Sequence, residues 1–391
     1  VEDYSLEQFR LDCKIQFESK LDDLSFWDIL DKMYFSSDAV FKISPLFLLF
    51  KTQHENAKHA ANLRLEALFY QLIGDNFSLS GQIEDKLHFL EQEILATLNR
   101  HLVKAVNKPA DDSAYLPFLV NVFRKDFAFL TEKPRYFLQE ITNVLKLYAF
   151  GYCSQLALNV MSWKDGEPRS RPLYFILDTE KASTERVQIK NHGYKALLEA
   201  NENLFPILSM LETLQSKQNK QPLWQLYQEL KDSSEQITLL EKLNQYIQDF
   251  IAERKLVPSP IEKIATSLEE AFEQLIQVAI EQFHDKSTTR SEINDKYKRS
   301  VKEQIFSSFV QARGRAGGVL VLSQSQLLLL TNLAIGKKDK LRLHELINAF
   351  KERGFYLDNQ SQQTLVNFYE RMGNVERMSD SGDAVYVRKT I

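Results

Sequence analysis

The C-terminal segment from Ser323 to Ile391 combines helix and strand patterns in an order that few folds accommodate. The predicted elements are a helix around 327–333, a short apolar segment at 341–343, helices at 345–353 and 361–371, and strands at 375–378 and 384–388. Gly354 marks the end of the second helix, as glycine commonly does. The order helix, strand, helix, helix and two-stranded wing predicts a winged helix-turn-helix over residues 319–391.

The third helix of this segment divides into an apolar and a polar face. At about 100° per residue, Leu365, Phe368, Tyr369 and Met372 cluster on one side, which we expect to face the core. The polar side chains predicted to contact DNA are Gln360, Gln363, Thr364, Asn367 and Arg371. Asn and Gln can pair with adenine, and Arg with guanine or phosphate, so we expect double-stranded DNA as a partner.

The two strands that follow carry further cations. Arg377, Arg388 and Lys389 are predicted to reach phosphates from the wing. Residues 311–391 hold twelve Lys or Arg against eight acids, so this part is +4 within a chain of net charge −4. Because this field is modest and the acids Glu370, Asp380 and Asp383 weaken it, a winged helix that only docks another protein is the alternative.

The rest of the chain predicts a mainly α-helical protein. With 12 Gly and 10 Pro in 391 residues, breakers are few. We expect a multi-helix scaffold with an N-terminal helical domain at 1–162 and a second region at 163–312. That region would begin with a small β-hairpin, formed by 173–177 and 187–190, and continue as a helical hairpin or coiled-coil-like pair.

A glycine-rich segment at 313–318 precedes the predicted winged helix. We expect it to act as a hinge, with Arg313 and Arg315 available for phosphate contact. Its spacing does not match a nucleotide-binding loop. No histidine spacing or G-x-S-x-G elbow indicates a metal or a nucleophile, so we expect no cofactor, no metal and no catalytic residue.

The predicted hairpin carries the one enzymatic alternative, a weak metal-dependent nuclease. Asp178 followed by Gln188-x-Lys190 is similar to the strand-Asp and Glu-x-Lys arrangement of many DNA-cutting enzymes. Gln188 stands where the second carboxylate would be needed, and a magnesium site prefers such carboxylates.

Cysteine content and hydropathy bear on localisation. Cys13 and Cys153 are the only cysteines, which is too few for a disulfide framework. The longest apolar runs fall far below the roughly 18 residues of a spanning helix. We therefore expect a cytoplasmic protein without a membrane partner.

Three segments resemble a known family. They are Pro172–Asp178, Gly354–Asp358 and Phe368–Val387, and they are similar to the DptG (DndG) family. The resemblance implies a bacterial anti-phage defence protein, a subunit of a phosphorothioation-dependent restriction system that attacks DNA lacking the sulfur modification. It implies partners that include a helicase-like ATPase and a further ATPase-like subunit. Within such a complex, the expected role of this chain is non-catalytic DNA binding and scaffolding.

Overall fold

Helices dominate the structure, a computed structural model, and the strands of its described residues form two small sheets. The structure describes residues 6–20, 26–36, 39–40, 88–102, 113–181, 186–215, 219–314, 317–378 and 384–391. The chain divides into two compact units, one from 1–110, 123–142 and Ile391, the other from 111–122 and 143–390. The borders between these units do not coincide with the borders between the three predicted domains. Among the described residues, no helix is both long and apolar enough to cross a membrane.

The first unit has an aromatic core made by short helices. Its helices are α1 (Leu6–Glu18), α2 (Phe26–Leu30), which continues as a π-helical turn (Asp31–Phe35), and α3 (Phe89–Leu102). Phe9, Cys13 and Phe17 recur every four residues, so they form one buried stripe on α1. This stripe packs with Trp27 and Leu30. Helices α4 (Pro117–Thr131) and α5 (Pro134–Asn159) follow, each with residues in both units.

The second unit contains a helical core. A 3-10 turn (Val160–Asp165) follows α5. The helices are α6 (Val187–Asn191), α7 (Tyr194–Glu202), α8 (Leu204–Leu214), α9 (Leu223–Lys231), α10 (Gln236–Arg254), α11 (Leu268–Glu281) and α12 (Thr289–Ser300). Helices α10 and α11 pack in one core through Ile247 and Leu275, with Ile207 of α8 beside them. Ser267 caps α11 by accepting a hydrogen bond from the Glu270 N–H at 3.2 Å.

The C-terminal part of the chain alternates strands and helices. After α12 come a π-helical segment (Val301–Phe306) and a 3-10 turn (Ser307–Phe309). The strands are β1 (Tyr174–Leu177), β2 (Val310–Ala312), β3 (Gly318–Leu322), β4 (Lys340–Arg342), β5 (Tyr356–Leu357), β6 (Val375–Met378) and β7 (Ala384–Arg388). The helices between them are α13 (Gln324–Ile335), α14 (Leu343–Glu352) and α15 (Asn359–Met372). The helices and the strands β4, β6 and β7 of residues 323–391 lie within about three residues of their predicted bounds, but β5 was not predicted. The turn at 379–383 lies outside the described residues.

The larger sheet has the strand order β2-β3-β1-β5. Strand β1 runs parallel to β3 and to β5, whereas β2 is antiparallel to β3. Phe175, Ile176 and Leu177 are buried, as expected of a central strand covered on both faces. The smaller sheet is antiparallel, with the order β4-β7-β6.

The predicted hairpin between 173–177 and 187–190 is wrong. The first segment is strand β1, but the second is the one-turn helix α6. Val321 and Leu322 of β3 pair with one edge of β1, and Tyr356 and Leu357 of β5 pair with the other. Because both edges are occupied by strands from much later in the chain, residues 187–190 have no free edge to join.

The segment at 313–318, predicted to be a hinge, instead connects two paired strands. Strands β2 and β3 pair with each other on either side of it, with Ala312 opposite Gly318. The N–H of Arg313 donates to the carbonyl of Gly317 at 2.8 Å, and Gly314 and Gly317 both have positive φ. The segment therefore closes a β-hairpin. Arg315 lies outside the described residues.

Candidate nucleic-acid interface

Helix α15 is defined by signals at both ends. Asp358 is its N-cap and accepts a hydrogen bond from the Ser361 N–H at 2.9 Å. Gly373, at φ 72°, ends the helix. Leu365, Phe368 and Tyr369 are buried as predicted. Met372 is 47% exposed and does not join the core face, because it lies in the last turn, where the helix leaves the core.

The predicted polar face of α15 is open to solvent. Gln360, Gln363, Asn367 and Arg371 are exposed, and Thr364 is partly buried. The four exposed residues follow one another at intervals of three and four, so a regular helix places them on one face. The Arg371 Nε donates to the carbonyl of Asn367 at 3.3 Å. The polar surface of α15 therefore offers amide and guanidinium donors together.

The structure does not bring the three predicted wing cations to one surface. Arg377 forms an ion pair with Glu370 at the end of α15. Arg388 donates from Nη2 to Glu376 Oε2 at 2.8 Å. The ammonium of Lys389 donates to the carbonyl of Gly336 at 3.3 Å. The three cationic side chains therefore extend toward different acceptors in different parts of the segment.

The outer face of the β4-β7-β6 sheet carries three side chains that were not among the predicted site residues. Lys340, Arg342 and Tyr386 lie there beside the predicted Arg388, opposite the buried Leu341 and Val387. Arg342 Nε donates to the Tyr386 hydroxyl at 2.9 Å. The two-residue spacing could indicate only that Lys340 and Arg342 share one face of β4 and that Tyr386 and Arg388 share one face of β7, since alternate residues of a strand share a face.

A buried ion-pair network ties the start of α15 to the larger sheet. Arg186 donates from Nε to Asp358 Oδ2 at 2.8 Å and from Nη1 to Glu180 Oε2 at 2.7 Å. Its Nη2 donates to the Ser361 Oγ at 2.7 Å, and that hydroxyl donates in turn to the carbonyl of Phe175 in β1 at 3.3 Å. The side chains of Arg186 and Glu180 are only 6% and 3% exposed.

The pKa values of two carboxylates reflect these contacts. Burial alone would raise the pKa of Asp358, but hydrogen bonds from Arg186 and from the Ser361 N–H outweigh it and leave the pKa below its ordinary value. Hydrogen bonds from Lys340 and Arg388 lower the pKa of Glu376. Both groups are therefore charged at neutral pH.

The residues proposed for a nuclease site do not form the expected arrangement. Asp178 follows the end of β1, and its carbonyl accepts a hydrogen bond from Arg313 Nη2 at 2.8 Å. Lys190 belongs to α6. The residue after this helix, His192, accepts a hydrogen bond from the Tyr174 N–H at 2.8 Å, so α6 ends beside the first residue of β1, whereas Asp178 follows its last residue. A four-residue strand separates these ends by about 13 Å. Within the described ranges, no group of three His, Cys, Asp or Glu side chains is placed to hold a metal.

Arg313 directly follows the edge strand β2 of the larger sheet. Its Nε is buried and has no hydrogen-bond partner among the described residues. Since its Nη2 is already engaged by the carbonyl of Asp178, Arg313 is held at the sheet edge rather than on an open surface.

No known family model and no curated protein sequence matches this chain.

Proposed function

We propose that residues 323–391 form a winged helix-turn-helix and that its third helix, α15, contacts double-stranded DNA. The element order α13, β4, α14, β5, α15, β6, β7 and the three-stranded sheet β4-β7-β6 support the assignment. The observation that carries DNA contact is the exposed polar face of α15, with Gln360, Gln363, Asn367 and Arg371. In a helix-turn-helix, the second helix of the motif is the one that enters the major groove.

The test uses the full chain, because β3 and β5 pair with β1 and the C-terminal part is not separable from the larger sheet. Binding to a labelled duplex should weaken steeply as salt rises, since phosphate contacts release counterions. The double variant Asn367→Ala/Arg371→Ala should weaken binding roughly tenfold or more. Gln245→Ala/Lys195→Ala, two exposed residues of α10 and α7, is the matched control. Equal affinity of the two double variants would exclude α15 as the contact.

We further propose that the chain is a cytoplasmic, non-catalytic DNA-binding and scaffolding subunit of a bacterial phosphorothioation-dependent restriction complex, acting on DNA that lacks the sulfur modification. The support is the resemblance of three segments to the DptG (DndG) family. Two of those segments contain β1 and β5, which are hydrogen-bonded neighbours in the structure. Co-purification with the products of neighbouring genes, with unmodified or sulfur-modified DNA added, tests this role. Failure to assemble with any restriction subunit under either condition would contradict it.

A second candidate is a winged helix that only docks a protein partner. The pairing of Arg377 with Glu370 and of Arg388 with Glu376 favours it, because each pair neutralises a cation that DNA would otherwise attract. If this function is correct, the chain should bind no duplex DNA even at low salt and should still bind its protein partner.

A further inference from the structure

The outer face of the β4-β7-β6 sheet gathers cations around one aromatic ring. Lys340 Nζ lies 5.0 Å from the centroid of the Tyr386 ring, and the Arg342 guanidinium carbon lies 5.6 Å from it. Residues directly opposite each other in an antiparallel register share a face. The register places Lys340 opposite Arg388, and both Arg342 and Glu376 opposite Tyr386. All five side chains therefore belong to one surface.

A carboxylate oxygen of Glu376 accepts hydrogen bonds on this surface in the way that a phosphate oxygen would. Oε2 of Glu376 accepts from Lys340 Nζ at 3.0 Å, from Arg388 Nη2 at 2.8 Å and from Arg388 Nε at 3.0 Å. Three donors from two cations converge on a single carboxylate oxygen. Lysine and arginine bind phosphate oxygens through the same charge-assisted hydrogen bonds.

The charge of this surface stays positive when the carboxylate is counted. Among the side chains described on it, Lys340, Arg342 and Arg388 share the sheet face with one acid, Glu376, and a second acid, Glu345 of α14, accepts a hydrogen bond from the Arg342 N–H at 2.9 Å. Three cations against these two acids leave one positive charge. Arg342 donates to a neutral hydroxyl, so its charge is not cancelled there. A polyanion is therefore the partner whose chemistry this surface fits.

We propose that this outer face is a second phosphate-binding surface for duplex DNA, and that Glu376 limits its affinity by occupying the position of a phosphate oxygen. The proposal rests on the proposed function of α15 and extends the DNA contact to β4 and β7. Arg388 belongs both to the wing predicted to contact DNA and to this outer face. An acidic protein segment would be attracted by the same cations, and it becomes the favoured partner if the wild-type chain binds no duplex at low salt.

The first variant is Glu376→Gln in the full chain, which keeps the size of the side chain and removes its charge. Releasing Lys340 and Arg388 should tighten binding to a labelled duplex roughly three- to tenfold at low salt, and should steepen the salt dependence by about one to two phosphate contacts. Glu352→Gln is the matched control, because it removes the same charge from an exposed position on α14 of the same segment.

The second variant, Lys340→Ala/Arg342→Ala, tests the same surface in the opposite direction. It should lower the slope of log affinity against log salt by about 0.9, since each phosphate contact contributes about 0.9 and Arg342 makes one, whereas Glu376 holds Lys340 in the wild-type chain. Circular dichroism and the thermal midpoint verify that each variant is folded.

Two results separate this proposal from the function on which it rests. If Asn367→Ala/Arg371→Ala weakens binding, while Glu376→Gln behaves like Glu352→Gln and Lys340→Ala/Arg342→Ala leaves the salt slope unchanged, the second surface is excluded and α15 remains the DNA contact. If the wild-type chain binds no duplex at low salt, both proposals fall.

Discussion

Arg186 and Asp358 are 172 positions apart in the chain, and the Arg186 Nε donates to the Asp358 Oδ2 at 2.8 Å. The same carboxylate caps α15 through the Ser361 N–H. Glu180, which follows β1, accepts from the other side of the guanidinium. One buried side chain therefore fixes the first turn of the proposed DNA-contacting helix to the region that follows β1.

Arg186→Met should lower the free energy of unfolding by about 3–5 kcal/mol, because it leaves Glu180 and Asp358 as charges without their buried partner. Urea unfolding followed by circular dichroism measures this loss. Lys195→Met is the control, because the Lys195 side chain is 86% exposed. Its change should stay within about 0.5 kcal/mol. A loss below about 1 kcal/mol in Arg186→Met would mean that the network contributes little.

The contribution of Asp358 to stability should depend on pH in a defined direction. Its pKa in the folded protein lies below the ordinary value of 3.8. The folded state then binds fewer protons than the unfolded state, so the stabilisation is fully present above the unfolded pKa and is lost as pH falls through the folded pKa.

Asp358→Asn isolates this effect, because asparagine also caps helices but carries no charge. The difference in unfolding free energy between wild type and this variant should be constant above about pH 5 and should shrink below about pH 4. Urea unfolding of both proteins over this range measures it. A difference that is as large at the acid end as at neutral pH would show that the charge of Asp358 is not involved.

Gly354→Ala should destabilise the protein more than Gly373→Ala does. Both glycines have positive φ, at 87° and 72°, so both substitutions carry the left-handed penalty of about 1 kcal/mol. A Cβ on Gly354 would lie 2.8 Å from Nε2 of Gln155, whereas a Cβ on Gly373 would meet nothing within 4 Å. Gln155 is buried and holds the backbone of Arg171 by two hydrogen bonds, of 3.0 and 2.8 Å, so it cannot move aside freely.

The expected excess loss for Gly354→Ala is about 1–3 kcal/mol, the usual cost of overpacking. Chemical denaturation of the two variants measures it directly. Equal losses would show that Gln155 relaxes at little cost.

Thr331 and Tyr369 should respond unequally to loss of their buried hydroxyl pair. Thr331 Oγ1 donates to the carbonyl of Leu327 at 2.6 Å, so the Tyr369 hydroxyl is the donor to Thr331. Tyr369→Phe removes that donor and should cost about 1 kcal/mol. Thr331→Val leaves the fully buried Tyr369 hydroxyl without its acceptor and should cost about 1–3 kcal/mol.

A double-mutant cycle of these two substitutions should give less destabilisation than the sum of the single variants, since the double variant leaves no unsatisfied hydroxyl. Strict additivity would contradict the assigned hydrogen bond.

Apart from β5, which forms by pairing with the distant strand β1, the elements of residues 323–391 could be predicted from the sequence because their signals are local. The apolar positions of α15 and the glycines at 354 and 373 lie within or beside the elements that they define. The exposed polar face of α15 was predictable for the same reason, since it follows from helical periodicity alone.

The larger sheet could not be predicted in this way. The alternation of Val187-Gln188-Ile189-Lys190 fits a strand as well as one helical turn, and strands far along the chain decide between them. The directions of the wing cations depend on register. Lys340 and Arg388 share a face only because β4 and β7 pair at that position, which spacing within either strand does not determine.

The pairing of β1 with β3 and β5 also orders events during synthesis. Strand β1 leaves the ribosome long before either of its partners, so the larger sheet cannot close until residues 356–357 have emerged. Until those partners emerge, both edges of β1 lack the strands that keep them from pairing with other chains. The proposed DNA-contacting helix starts two residues after β5, so a chain interrupted before residue 356 contains neither the complete sheet nor this helix.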